Sequence, residues 1–231
     1  TNMPVESIPY AHSSAYLERQ LLWVGLGIVG MMVLASVPME TLERWTPAIM
    51  IACLVMLVLV LVPPFGVTSK GATRWLKVGP ITIQPAEFAK IGLVLYMARL
   101  LANKGRDIRN WRRGFVPTIS VWCVFAVLVL LERDLGTVVL MGGVMLAMWT
   151  LAHVRAWHLT IIVLCSIPAV IYLVLQHAYR INRLLAIWDP DKFALGIGYQ
   201  LNQSLIAVGS GGLLGRGLGY GPQKYHFLSE T

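Results

Sequence analysis

Arg74, Lys77, Arg180, Arg183, Lys192, Arg216 and Lys224 stand in polar stretches between apolar blocks. A guanidinium is a planar fork that donates two parallel hydrogen bonds, so such a set suits an anionic lipid or a pyrophosphate. The same charges suit ordinary phospholipid head groups at a membrane surface, and both readings stand. Trp75 and Trp188 beside them have the character of interfacial aromatics. Glu87 and Lys90 are three residues apart at the start of an apolar block, which places them on one helix face as an ion pair. That pair either orients its helix or takes a direct role. Glu132, Arg133 and Asp134 form a polar turn. The turn is either simply solvated or offers a carboxylate, Asp134 among them, to a cation or a neighbouring loop. Seven glycines fall within residues 209–221. Such a run is either a plain flexible loop or a backbone that approaches a ligand closely. It is not a P-loop, because no Gly-Lys-Ser/Thr closes it, nor a dinucleotide turn, because no strand precedes it.

The elements that must position these residues are greasy. Of 231 residues, 57% are hydrophobic and 13% charged, with mean hydropathy +0.68. A soluble domain carries roughly 25% charged residues. Six apolar blocks, Gln20–Pro38, Pro47–Val62, Phe88–Ala102, Phe115–Leu131, Leu135–Ala152 and Trp157–Leu175, approach the roughly 20 residues a bilayer-spanning helix needs. The expected fold is therefore an all-α polytopic membrane protein with about six transmembrane helices. Its expected divisions are an extracytoplasmic segment 1–19, a helix bundle 20–175 and a large extracytoplasmic loop 176–231. The first twenty residues lack the basic start and apolar core of a signal peptide.

The net charge of +8 clusters at block ends, which points to membrane orientation rather than nucleic acid. Lys104, Arg106, Arg109, Arg112 and Arg113 are expected inside. Alternation then puts Pro63–Glu87, Glu132–Asp134 and Gln176–Thr231 outside and His153–Arg155 inside. Lys70, Arg74 and Lys77 run against that bias. Pro168 is expected to kink its helix. Tyr199–Val208 reads as a short amphipathic surface helix, with Gly209 opening the glycine stretch. Cys53, Cys123 and Cys165 lie inside apolar blocks and fit neither a disulfide nor a metal spacing.

In order along the chain come G-A-T-R-W-L (Gly71–Leu76), I-Q-P-A-E-F-A-K (Ile83–Lys90), E-R-D-L-G-T (Glu132–Thr137) and Y-R-I-N-R-L (Tyr179–Leu184). They are followed by W-D-P (Trp188–Pro190), G-Y-Q-L-N-Q-S-L-I-A-V-G-S-G-G-L-L-G-R-G-L-G (Gly198–Gly219) and Q-K-Y-H-F-L-S-E (Gln223–Glu230). From Gln20 onward this resembles the SEDS family (shape, elongation, division and sporulation), and G-L-G-x-G-x-Q-K looks closer to its division and sporulation branch than to the RodA-like branch. The resemblance implies a peptidoglycan glycosyltransferase that polymerises lipid II on the outer face of the bacterial cytoplasmic membrane beside a class B penicillin-binding protein and other division or elongation membrane proteins. It implies substrate contacts from Arg74, Trp75, Arg180, Arg183, Gln200, Ser204, Gly209, Ser210, Gly211, Arg216 and Lys224. It also implies an ion pair Glu87–Lys90 that sets the cavity, and a supporting role for Glu230. The family fold has ten spans, of which the second to seventh would lie here. The family reads L-P-E where this chain has Leu228-Ser229-Glu230. The family's candidate catalytic aspartate, in T-D-F just after that glutamate, would fall beyond Thr231, so this stretch is not expected to act alone.

Extending a glycan sends a sugar hydroxyl against an anomeric carbon and expels a lipid pyrophosphate. That needs a base for the hydroxyl and positive charge for the leaving group, and a divalent cation (Mg or Mn) would assist. Gly142 and Gly143 would open a groove for the lipid tail. A lipid-precursor flippase and a non-catalytic scaffold are the alternatives. The first needs charge deep within the spans, and the second makes the loop charges dispensable.

Overall fold

The computed structural model describes residues 11–69, 72–79, 81–176, 178–188, 198–212 and 215. Each of the six apolar blocks is a helix: α1 (Ala11–Ala35), α2 (Met39–Leu61), α3 (Pro85–Lys104), α4 (Val116–Leu131), α5 (Leu135–Leu151) and α6 (Ala156–Leu175). Two shorter helices follow, α7 (Ala178–Trp188) and α8 (Tyr199–Gly211). Met39–Leu61, Trp111–Leu131 and Ala156–Leu175 are long and apolar enough to cross a bilayer, and Gln20–Ala35 and Leu135–Leu151 are shorter apolar helices. Outward-facing leucines, valines and methionines such as Leu21, Val29, Met31, Val55, Val127 and Leu164 would be costly in water. The chain is a membrane protein.

The expectation of an all-α chain needs correction. Between α2 and α3 lie β1 (Gly66–Ser69), β2 (Ala72–Val78) and β3 (Ile81–Ile83), an antiparallel sheet in that order. Leu76 of β2 pairs with Gly66 on one side and Ile83 on the other. The strands are short, and Gly79 stands between β2 and β3 at φ +63°. Successive β2 side chains alternate faces. Leu76 is buried, and Arg74 shares its face, while Trp75 is exposed on the other.

The chain divides into two compact units, Met31–Val163 and Thr1–Gly30 with Leu164–Thr231. In the first, α2 and α3 run antiparallel, joined by the sheet at one end and by Arg99 of α3 donating to the Glu43 carbonyl (2.9 Å) at the other. Gly92 is what lets them close: a Cβ there would lie 2.6 Å from Cys53 Sγ. The core runs from Leu57 through Leu93, Met97, Phe125, Val129 and Met145 to Trp149, all buried. Trp149 Nε1 donates to Thr118 Oγ1 (3.0 Å), whose hydroxyl donates in turn to the Phe115 carbonyl (2.8 Å). This satisfies the indole N–H deep in the bundle, where an unpaired donor costs about 1–3 kcal/mol. Of the two glycines expected to open a groove, Gly142 faces the Trp122 ring, 3.4 Å from where a Cβ would stand, and Gly143 faces open space.

Candidate active site

The turn between α4 and α5 is where charge gathers. Helix α4 ends in a Schellman arrangement: Arg133 N–H donates to the Leu130 carbonyl (2.9 Å) and Asp134 N–H to the Val129 carbonyl (3.2 Å). The position that glycine usually fills is Arg133, at φ +62°. A side chain in this left-handed conformation costs roughly 1–2 kcal/mol. Arg74, reaching over from β2, secures the turn. Its Nε donates to the Glu132 carbonyl (3.2 Å) and its Nη2 to the Arg133 carbonyl (2.6 Å). A guanidinium has five N–H donors, so three stay available to a ligand.

Beneath this clamp the Glu132 side chain is 1% exposed, and neither carboxylate oxygen has a hydrogen-bond partner. Burial pushes its pKa up to about 8, Asp134 nearby pushes the same way, and the Arg74 charge pulls it down. A carboxyl group held near neutrality in this way is characteristic of a proton-handling site.

Asp134 does a different job. Its Oδ1 accepts from Thr137 N–H (3.1 Å) and its Oδ2 from Thr137 Oγ1 (2.9 Å), which makes it the N-cap of α5. Asp134→Ala is therefore expected to cost about 1 kcal/mol. Asp134→Asn keeps an accepting oxygen and should retain nearly full stability in thermal melts. If Asn loses as much stability as Ala, the charge matters rather than the cap.

Glu87 and Lys90 form an ion pair at 2.9 Å in the first turns of α3. In the other unit, Arg180 of α7 donates through Nη1 to the Leu173 carbonyl of α6. Ser204 is half-buried in α8, and Ser210 Oγ donates to the Ala207 carbonyl (3.2 Å). Gly209 and Gly211 are not loop residues: α8 runs through both and ends at Gly212, φ +57°. Helical glycine costs about 1 kcal/mol each against alanine, which three preceding turns can carry. The side chains of Arg183 and Gln200, and all of Arg216, Lys224 and Glu230, lie outside the described residues.

Sequence reasoning missed His158 and helix α7. His158 is fully buried among rings, stacked on Phe115 (centroids 4.9 Å, 21°) and edge-on to Trp111 (4.9 Å) and Trp157 (4.1 Å). A lone histidine in an apolar block gave no signal for that. Helix α7 did leave one, with Ile181, Leu184, Leu185 and Trp188 at helical spacing.

The FtsW/RodA/SpoVE model, described as a cell cycle protein family, matches residues 3–231. The chain belongs to this family. Stage V sporulation protein E of Bacillus subtilis is 37% identical over 215 residues, covering 93% of this chain and 59% of that protein. A probable peptidoglycan glycosyltransferase FtsW of Escherichia coli O6:H1 is 40% identical over 216 residues, 94% of this chain and 52% of the relative. The chain thus spans little more than half the length of these FtsW/RodA/SpoVE relatives. Among solved structures, one of a peptidoglycan synthase complex that coordinates polymerization and crosslinking superposes with TM-score 0.65 at 29% identity, covering 89% of this chain and 60% of that one. The rod shape determining protein RodA of Thermus thermophilus gives TM-score 0.58 at 31% identity, over 68% and 50%.

Proposed function

We propose that the full-length protein is a peptidoglycan glycosyltransferase of the bacterial cytoplasmic membrane. It polymerises lipid II for cell division or cell shape. The observation that carries this is Arg74, a guanidinium fixed by two carbonyls with donors to spare, over a buried carboxyl at the end of the bundle. In the reaction a sugar hydroxyl bonds to the anomeric carbon as the bond to the lipid pyrophosphate breaks. The hydroxyl proton passes to a base, and the departing pyrophosphate takes up negative charge that Arg74 offsets. Trp75, Arg180, Arg183, Gln200, Ser204, Gly209, Ser210, Gly211, Arg216 and Lys224 are the further substrate contacts in this reading. Glu230 supports the base.

The six apolar helices fit the second to seventh of ten spans, with the sheet, the α4–α5 turn and the tail from Gln176 outside. A flippase would carry its charge midway along its spans. In Met31–Val163 the described ionised groups instead sit toward the helix ends and in the connections. Among the described residues no three metal-ligating side chains converge. A divalent cation would then draw ligands from substrate phosphates and from segments such as that around Glu230. The likeness to a polymerising and crosslinking complex supports a class B penicillin-binding protein as partner.

The test is reconstitution of the full-length protein with that partner and labelled lipid II. Glycan strands are the expected product. Lipid movement across the bilayer without strands would favour the flippase and refute this assignment.

A further inference from the structure

The end of α3 and α4 away from the sheet carries a second, unassigned constellation. A 3-10 turn (Gly105–Arg109) and a π-helical turn (Trp111–Phe115) fold back on each other there. Their backbones touch at Gly114, where a Cβ would lie 2.0 Å from the Asp107 carbonyl. Asn110 Oδ1 accepts from Arg112 N–H (3.1 Å) and Arg113 N–H (3.4 Å), and Lys104 Nζ donates to the Arg113 carbonyl (2.7 Å). The connection is a built structure rather than a trailing basic loop.

It presents Arg106 and Arg109, and the α5–α6 connection adds Arg155. Among the described residues none of the three guanidinium groups has a hydrogen-bond or ion-pair partner. Together with Asn110 and the single carboxylate of Asp107 they line a cavity of about 600 Å³. His158 lies in its wall, 0% exposed, with neither ring nitrogen partnered. Both ring nitrogens are closed off from solvent, so the imidazole is part of the wall and not a contact to what fills the cavity. Three unpaired forks on one cavity describe a receptor for an oxyanion.

A second cavity of about 650 Å³ shares Arg106 and Arg109 as walls and is otherwise mostly apolar, with Ala98, Leu101, Met148 and Leu151 along α3 and α5. A charged cavity and a greasy one joined by two arginines match an amphiphile. We propose that this is a binding site for an anionic glycerophospholipid. Its phosphate head group sits among Arg106, Arg109 and Arg155. One acyl chain lies in the cavity between α3 and α5. The 20 residues of α3 put about 30 Å between this site and Arg74, so it is separate from the candidate active site.

Native mass spectrometry of the full-length protein, titrated with phosphatidylglycerol, phosphatidylcholine or glycerol phosphate, tests the site. Phosphatidylglycerol is expected to bind tightest. An arginine facing an anionic head group is worth about fivefold in affinity, so Arg106→Ala with Arg109→Ala should weaken phosphatidylglycerol about 25-fold. Ala102→Trp, which fills the apolar cavity, should weaken the lipid and leave glycerol phosphate unaffected. Undiminished lipid binding in the double variant would overturn the proposal, as would phosphatidylcholine binding equally well. So would glycerol phosphate binding as tightly as the lipid with Ala102→Trp silent, which would indicate a site for free phosphate esters.

Discussion

Arg74→Ala is expected to reduce glycan polymerisation by the full-length protein by about 10²–10³-fold, the usual cost of removing one preorganised donor to a developing negative charge. The same change removes two charge-assisted hydrogen bonds to the carbonyls of residues 132 and 133. That should cost about 1.5–3 kcal/mol of stability and lower the melting temperature. The two effects separate in Arg74→Lys. An ammonium keeps the positive charge but is a point donor that cannot span both carbonyls while addressing a ligand. Lysine should therefore recover part of the activity without recovering the melting temperature. Full polymerisation by Arg74→Ala, despite a lowered melting temperature, would make Arg74 a structural strut alone and end its catalytic assignment.

Glu132 should make stability depend on pH in an unusual direction. Its folded-state pKa, near 8, lies above the ordinary 4.5. Between those values the folded protein retains a proton that the unfolded chain has released. Stability should consequently fall as pH rises through that window and level off above it, at roughly 1.4 kcal/mol per pH unit where the two states differ fully. Glu132→Gln keeps the shape and never ionises. It should flatten the profile and exceed the parent's stability by a few kcal/mol at pH 9, with little difference at pH 5. Melting temperatures from pH 5 to 9 decide this. Parallel profiles for parent and variant would show that Glu132 is not a buried neutral acid. Arg74→Ala removes the one charge that lowers this pKa, so its profile should start to fall at lower stability and extend to higher pH.

The apolar blocks were legible because a bilayer imposes a length and a composition that few other environments do. The sheet was not, because its longest strand has seven residues and, among those whose side chains are described, only Leu76 is buried, too little alternation to stand out in a loop. Arg74 stood out as a cation, yet its partners are backbone carbonyls 58 and 59 residues away, and a carbonyl carries no residue type. Asp134 illustrates the opposite case. The D-L-G-T stretch ahead of an apolar run has the form of a helix N-cap, a signal carried wholly by local sequence. Glycine-rich composition at 209 and 211 points to a loop or a ligand-approaching backbone, whereas helix α8 continues through both, with no proline to stop it. The surroundings of His158 depend on Trp111 and Phe115, which only the packed bundle brings against it.

In the proposed orientation the sheet and the α4–α5 turn lie outside the cell and the Gly105–Phe115 connection inside. Lys77 and Arg112 are both exposed and lie in these two regions. In intact cells, with Cys53, Cys123 and Cys165 replaced, Lys77→Cys is expected to react with a membrane-impermeant maleimide, and Arg112→Cys only after permeabilisation. Labelling in the reverse pattern would put Arg74 on the cytosolic face, away from an external lipid-linked sugar, and would contradict the account.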